Sequence, residues 1–249
     1  MPFGASRAGL MSVRRDAIPD SALLHFPFGE RSDSTLVEEL EGADGTAVGL
    51  TNISGDFRGG FAEDGDGTDD YGDLGDWSVV DFGADLDTTW TVLFTFKTTD
   101  DEVYLFGARD DVEGGATGFQ VGLGRGTGGV GSGELEFFIS DTNDDRLVIS
   151  TDSAFNDGNK HRGAFVKRGN SASDLEIWID GSEVSTTTHD DTGLTTTHNF
   201  SGLVASHARG RGDGSVNSPA DSVIDNPIPC GSDLTSSEIQ DDHERQPWS

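Results

Sequence analysis

Short apolar runs recur along the 249 residues, and Gly, Asp, Ser and Thr stand between them. The clearest run is Thr89–Lys97. There Trp90, Val92, Phe94 and Phe96 fall on one side, and Thr91 and Thr95 on the other. A repeat of two is the period of a strand with one buried face. The same alternation sets Leu135, Phe137 and Ile139 against Glu136, Phe138 and Ser140. It sets Ala164, Val166 and Arg168 against Phe165 and Lys167, and Leu175, Ile177 and Ile179 against Glu176, Trp178 and Asp180. Further strands are predicted over Ala22–Phe28, Val103–Arg109, Gly118–Leu123, Arg146–Ser150 and Phe200–Ser206. Short strands at regular spacing with polar turns predict an all-β sandwich or barrel. Gly122–Gly133 reads as a hairpin tip, and His207–Asp221 as a second long Gly/Ser loop.

One helix start stands out. Thr235-Ser236-Ser237-Glu238 fits a capping box, with Thr235 as N-cap, and predicts a helix to about His243. Pro247 ends that direction, and Trp248 is placed to pack back on the body. No repeat or interdomain linker interrupts residues 21–249, which read as one domain. Residues 1–20 differ: they carry Arg7, Arg14 and Arg15, and no acid precedes Asp16. They read either as a basic arm that docks on an acidic partner or as a short tail.

Charge changes the picture most. Asp and Glu number 46 against 16 Lys and Arg, a formal net charge of −30. Such self-repulsion destabilises a compact chain in dilute buffer. At 1 M salt the screening length falls to about 3 Å, which relieves it. Lys97, Lys160 and Lys167 are the only lysines, so the few cations are mostly arginine. An Asp-rich, Lys-poor chain is similar to proteins of salt-loving archaea. Nucleic acid and anionic membrane surfaces are excluded as partners, because both need a basic face. No run approaches the about 18 apolar residues of a membrane-spanning helix, and residues 1–20 hold no apolar core of a secretory signal. Cys230 is the only cysteine, so it is expected as a small buried hydrophobe.

Six stretches in order then resemble the laminin-G-like branch of the concanavalin A-like lectin/glucanase superfamily. They are Ala22–Phe28, Gly67–Gly75, the Trp90–Lys97 strand, Asn156–Val166, the L-E-I-W-I-D-G stretch Leu175–Gly181, and Ser222–Asn226 followed by Leu234–Ile239. The resemblance covers about residues 21 to 248. It implies a two-sheet antiparallel jelly roll of about a dozen strands with one short C-terminal helix. Trp90, Phe94, Phe165 and Trp178 are then core residues before they are sugar-stacking ones. Lys160 and Arg162 depart from the family's usual Trp and His. Asn226-Pro227-Ile228-Pro229 replaces its last strand and predicts an irregular edge there.

The superfamily includes glucanases, which need paired carboxylates about 5–5.5 Å apart for retention. Their E-x-D-x-x-E pattern is missing: Glu134-Leu-Glu136 lacks the third acid, and Asp174, Glu176 and Asp180 share a strand face at other spacing. No catalytic residue is therefore assigned. Asp64, Asp66, Asp69 and Asp70 form a candidate calcium loop, since calcium takes about six to eight oxygens. They lack the glutamate that closes an EF-hand loop. No metal spacing links the six histidines, and His25 and His161 sit in strand-like segments. Asn52 and Asn199 match the glycosylation pattern, and Arg211-Gly212-Asp213 is read as a chance tripeptide. For a sugar, the first places are the acidic loop with Tyr71 and Trp77, then the loop with His207, Arg209, Arg211 and Asp213.

The resemblance and the charge together imply a non-enzymatic recognition module. The expected setting is the outer surface of a halophilic virus particle, reached after cytoplasmic assembly, as a capsid decoration, spike or fibre component. The expected partners are copies of itself, as a trimer or a set fixed by particle symmetry, other virion proteins and host surface glycans. A secreted or cell-surface carbohydrate-binding module is the alternative, and a glucanase-like hydrolase the second.

Overall fold

The computed structural model describes residues 19, 22, 35–36, 45–48, 51–54, 61–64, 71–76, 86–110, 117–124, 129–196, 204–207 and 222–245. In chain order the strands are β1 (Thr35–Leu36), β2 (Gly45–Val48), β3 (Thr51–Ser54), β4 (Phe61–Asp64), β5 (Tyr71–Asp76), β6 (Trp90–Thr98), β7 (Val103–Asp110) and β8 (Thr117–Leu123). Next come β9 (Glu134–Ser140), β10 (Arg146–Ala154), β11 (His161–Lys167), β12 (Leu175–Ile179), β13 (Ser182–Glu183), β14 (Thr186–Asp191), β15 (Val204–His207) and β16 (Ser222–Cys230). One helix, α1 (Ser236–Glu244), follows. Among the described residues the strands form two antiparallel sheets. The nine-stranded sheet runs β1-β2-β5-β15-β7-β8-β9-β10-β14, and the seven-stranded sheet β13-β12-β11-β6-β16-β4-β3.

The alternation of the sequence decides which side chains meet. Trp90, Val92, Phe94 and Phe96 of β6 face Phe106, Phe119 and Phe137 of the other sheet, all fully buried. Phe137 stacks on Phe165 at 4.6 Å, Trp90 meets Phe137 edge-on at 5.6 Å, and Phe94 lies 5.2 Å from Phe106. Each such ring pair adds about 0.5–1.5 kcal/mol beyond its burial. Gly163 makes room for this layer, because a Cβ there would fall 2.3 Å from the Phe94 ring.

The opposite face of the seven-stranded sheet is apolar too. Leu93, Ala164, Val166, Trp178, Ile228 and Cys230 pack against Leu234 and against Ile239 of α1. The predicted capping box is present: Thr235 accepts from the Glu238 backbone N–H, and the Glu238 carboxylate accepts from the Thr235 N–H. Beneath the helix the Arg162 Nε donates to Asp242 at 2.6 Å, and its Nη1 to Thr95 at 3.2 Å. Arg168 holds Glu176 with two nitrogens and reaches Asp233 and the Leu234 carbonyl, which fixes the chain entering α1.

β12 turns into β13 through Asp180 (φ 52°) and Gly181 (φ 76°). Two consecutive positive φ values are what a primed two-residue hairpin needs, and Asp-Gly supplies them. β11 starts at His161, three residues before the predicted alternation. The Asn226–Pro229 stretch is no edge strand. β16 lies between β6 and β4, and its irregularity is a register shift between Asp225 and Ile228. β4 pairs with it only at Val223 and Ile224, so prolines 227 and 229 fall where that neighbour has ended. Pro229 stands opposite Val92, and the donor it lacks would have faced away from β6. Ala22 bridges to Cys230; the rest of the predicted Ala22–Phe28 strand lies outside the described residues, as does Trp248.

Candidate functional site

The outer face of the nine-stranded sheet differs from its sealed counterpart. Phe119, Val121, Leu123, Leu135, Phe137, Ile139, Leu147 and Ile149 point inward, so their strand neighbours point outward. Register lines these up in rows. Tyr104, Gly122, Glu136, Ser150 and Thr187 form one row across β7, β8, β9, β10 and β14. Gly107, Gln120, Phe138 and Val148 form the next. Tyr104, Gln120, Glu136, Phe138 and Ser150 are buried although they face away from the inter-sheet core. Glycines shape this floor. A Cβ on Gly107 would lie 2.5 Å from the Tyr104 hydroxyl, and Gly122 places no side chain between Tyr104 and Glu136.

At one end the floor opens onto half-buried groups. Glu134 Oε2 accepts from the Gly131 N–H at 2.7 Å and from the Ser150 hydroxyl at 3.1 Å. Ser150 Oγ also lies 2.8 Å from His189 Nε2. His189 reaches this position because it is the extra residue of a bulge in β14, where the pairing with β10 shifts between Val148 and Ile149. Bulges re-aim side chains in this way. Glu134 is held by the loops around it: Gly124 N–H donates to its carbonyl, Gly133 N–H to the Asp101 carbonyl, and Phe155 N–H to the Gly133 carbonyl. Asn156 completes this clasp on the Asp101 carboxylate at 2.8 Å. Farther along, the Arg146 guanidinium lies 5.8 Å over the Phe138 ring and donates twice to Asp144.

Other titratable groups serve the scaffold. His161 stands between Asp180 (2.8 Å) and Asp157 (3.1 Å). Burial alone would lower its pKa, but the two carboxylates outweigh it and hold the ring above its ordinary 6.5. Asp141 is fully buried, and burial would raise its carboxyl. The backbone N–H groups of Thr196, Thr195, Asn143 and Asp145 prevail and hold it below 3.8. Burial pushes Lys167 down to about 8 while its Nζ donates to the Leu86 and Thr88 carbonyls.

The acids weighed for hydrolysis are employed likewise. Asp174 closes the capping box of a 3-10 turn, Glu176 takes Arg168 and the Trp178 indole N–H, and Asp180 takes His161 and the Arg162 N–H. Cys230 is buried among apolar side chains, as expected.

Of the residues singled out from the sequence, Tyr71 and His207 lie in adjacent strands of the nine-stranded sheet, since His207 stands opposite Gly72. Asp64 ends β4 in the other sheet, opposite Thr51 and Val223. Trp77, Arg209, Arg211, Asp213, Asp66, Asp69, Asp70, His25, Arg7, Arg14 and Arg15 lie outside the described residues. Among the described residues no set of three His, Cys, Asp or Glu is arranged to hold a metal. Sequence reasoning missed Tyr104, Gln120, Ser150 and His189. Their one signal was a polar residue set between apolar ones, as in Phe119-Gln120-Val121.

No protein-family model matches the sequence, and no curated protein matches it. Solved structures do. Domain 4 of AbnA, an extracellular arabinanase of Geobacillus stearothermophilus solved with arabinotriose, aligns with TM-score 0.62 and 15% identity over 90% of this chain and 98% of that domain. The ligand-binding domain of botulinum neurotoxin serotype D, in complex with N-acetylneuraminic acid, aligns with TM-score 0.60 and 12% identity over 93% of this chain. A Trypanosoma rangeli sialidase mutant gives 0.59 and 10% over 90%. The chain spans 52% of that toxin domain and 33% of the sialidase. At such identities the fold is what is shared: the chain is a jelly-roll-like β-sandwich of two antiparallel sheets with one short C-terminal helix.

Proposed function

We propose that this chain is a non-catalytic glycan-recognition module that works in molar salt. The observation that carries the reading is the outer face of the nine-stranded sheet. Its polar floor of Tyr104, Gln120, Glu136 and Ser150 is buried, and at one end it leads to the half-buried Glu134 and His189, which Ser150 holds together. Placed polar groups at the end of such a floor are what the hydroxyls of a sugar need. Sugars bound to the arabinanase domain and the toxin domain support it by fold analogy alone. The absence of catalysis belongs to the proposal, supported by the structural roles of Asp174, Glu176 and Asp180.

The proposed setting is the outside of a halophilic virus particle, as a decoration, spike or fibre formed by several copies. Its support is the −30 charge and the arginines of residues 1–20, a pairing suited to docking on an acidic partner. Two measurements test the reading. Titration calorimetry in about 2–3 M salt, where the charge is screened, is expected to find a binding glycan whose affinity falls in Glu134→Gln and His189→Ala, the half-buried positions; silence across neutral and acidic glycans sinks the recognition role. Mass spectrometry of purified particles is expected to find the chain. Its presence on uninfected cells instead would make it a cell-surface module.

A further inference from the structure

We infer that β14 is a self-association edge: two copies of this chain pair their β14 strands antiparallel across a two-fold axis, and the nine-stranded sheet runs on from one molecule into the next. The inference stands apart from the glycan reading and holds whether or not the chain binds a sugar. Among the described residues four strands end a sheet: β1, β14, β13 and β3. β14 has six residues, against two in β1, two in β13 and four in β3, so it offers the longest open edge. Thr186, Thr187 and Thr188 are all exposed. Their β-branched side chains suit a strand. No lysine or proline stands within residues 182–191 to blunt that edge.

The pairing with β10 decides which backbone groups are open. The Asp152 N–H donates to the Ser185 carbonyl, next to the opposed pair Thr151 and Thr186. In an antiparallel ladder, pairs that exchange hydrogen bonds alternate with pairs that do not. Thr187 therefore exchanges its bonds with Ser150. Thr186 and Thr188, opposite Thr151 and Ile149, turn their N–H and C=O away from β10. No described residue bonds to that outer side. The bulge at His189 breaks the alternation, so the regular open stretch is residues 186–188.

One register satisfies both open residues. With Thr186 opposite Thr188 of the second copy, each exchanges its N–H and C=O with the other, and the two Thr187 residues meet on the axis as a close pair that exchanges none. Threonine pairs across strands are favourable. Antiparallel order also carries Asp190 and Asp191 to opposite ends of the contact, where parallel order would set like charges face to face. Backbone groups are neutral, so molar salt leaves their bonds in place while it screens the repulsion between two chains of net charge −30. So short a contact is a small interface. The dimer therefore forms at high concentration, or where copies are gathered on one surface.

The test is static light scattering on the full chain in about 2–3 M salt, from about 10 μM to about 1 mM protein. The mass is expected to rise from monomer towards dimer over that range. Thr188→Pro deletes an N–H that makes no bond within the chain, and should weaken the dimer by about tenfold or more. Thr187→Cys should give a disulfide-linked dimer under mild oxidation, because the axis brings the two Cα atoms to about 4.5 Å, within disulfide reach. Cys230 is buried and stays out of that reaction. Thermal melts check the folding of both variants, and Thr187→Cys decides alone if Thr188→Pro does not fold. A wild type that stays monomeric at about 1 mM overturns the inference. So does a dimer whose affinity is unchanged in folded Thr188→Pro, or a Thr187→Cys chain that forms no linked dimer. None of these outcomes bears on whether a glycan binds.

Discussion

The two sheets turn opposite kinds of outer face to their surroundings. On the seven-stranded sheet Leu93, Val166, Trp178 and Ile228 make an apolar patch, and α1 lies on it. On the nine-stranded sheet the equivalent positions hold Gln120, Glu136, Ser150 and Tyr104. Both sheets share one aromatic core, so stability does not require the second face to be polar. A face that buries a carboxylate without helping the core is where function is to be sought.

The contrast predicts that damage beneath α1 unfolds the protein, whereas damage at the polar face changes binding. The largest effect is expected for Asp242→Ala. It leaves the Arg162 guanidinium, 2% exposed at its side chain, without its carboxylate. The loss is about 3–5 kcal/mol, read by chemical denaturation in high salt. Pairing Arg162→Met with Asp242→Leu should recover most of it. If Asp242→Ala costs nothing, α1 is not what seals that face. Next comes Asp141→Asn, which turns one oxygen of a four-fold backbone acceptor into a donor among donors. About 2–3 kcal/mol is expected. Because the folded carboxyl is held low, the wild-type contribution is present above pH 3.8 and disappears as pH falls through the folded value, so acid unfolding of the variant should be less steep.

Thr235→Ala removes the N-cap of α1 and should cost about 1 kcal/mol, with glycan affinity per folded molecule unchanged. The smallest effect belongs to His161. Its raised pKa means that its stabilisation is complete below 6.5 and is lost as pH rises through the folded value. The melting temperature of the wild type should therefore sag above pH 6.5, and that sag should vanish in His161→Gln. A pH-independent wild-type melt would show that the Asp157–His161–Asp180 bridge contributes nothing.

Much of the scaffold was legible in the sequence, and the reason is periodicity. Trp90–Phe96, Leu135–Ile139 and Leu175–Ile179 alternate because one side of each meets the core. The Thr235 capping box and the Asp180-Gly181 turn announce themselves through local backbone chemistry. β14 was not legible. Thr-Thr-Thr-His-Asp-Asp carries no apolar period, because it is an edge strand with its side chains exposed or half-buried. With β14 went His189. The polar floor was hidden for another reason. Alternation tells that Gln120 and Glu136 face outward, but only the register of four strands sets them beside Tyr104 and Ser150. Glu136 was visible as an acid, weighed for catalysis and set aside; its place in a row with Tyr104, Gly122 and Ser150 is a tertiary fact.

Pro229 bears on the life of such a chain in brine. Concentrated excluded salts strengthen the association of apolar surface while they mute charge repulsion, so the acidic coat that keeps other surfaces apart is least protective there. Between Ile224 and Cys230, where Ala22 bridges to it, the side of β16 away from β6 has no pairing with β4 and would otherwise offer backbone donors to a strand from a second molecule. A residue with no N–H at that point spoils the template for fibrillar growth whatever the ionic strength. Steric chemistry thus guards a stretch of β16 where electrostatics would fail.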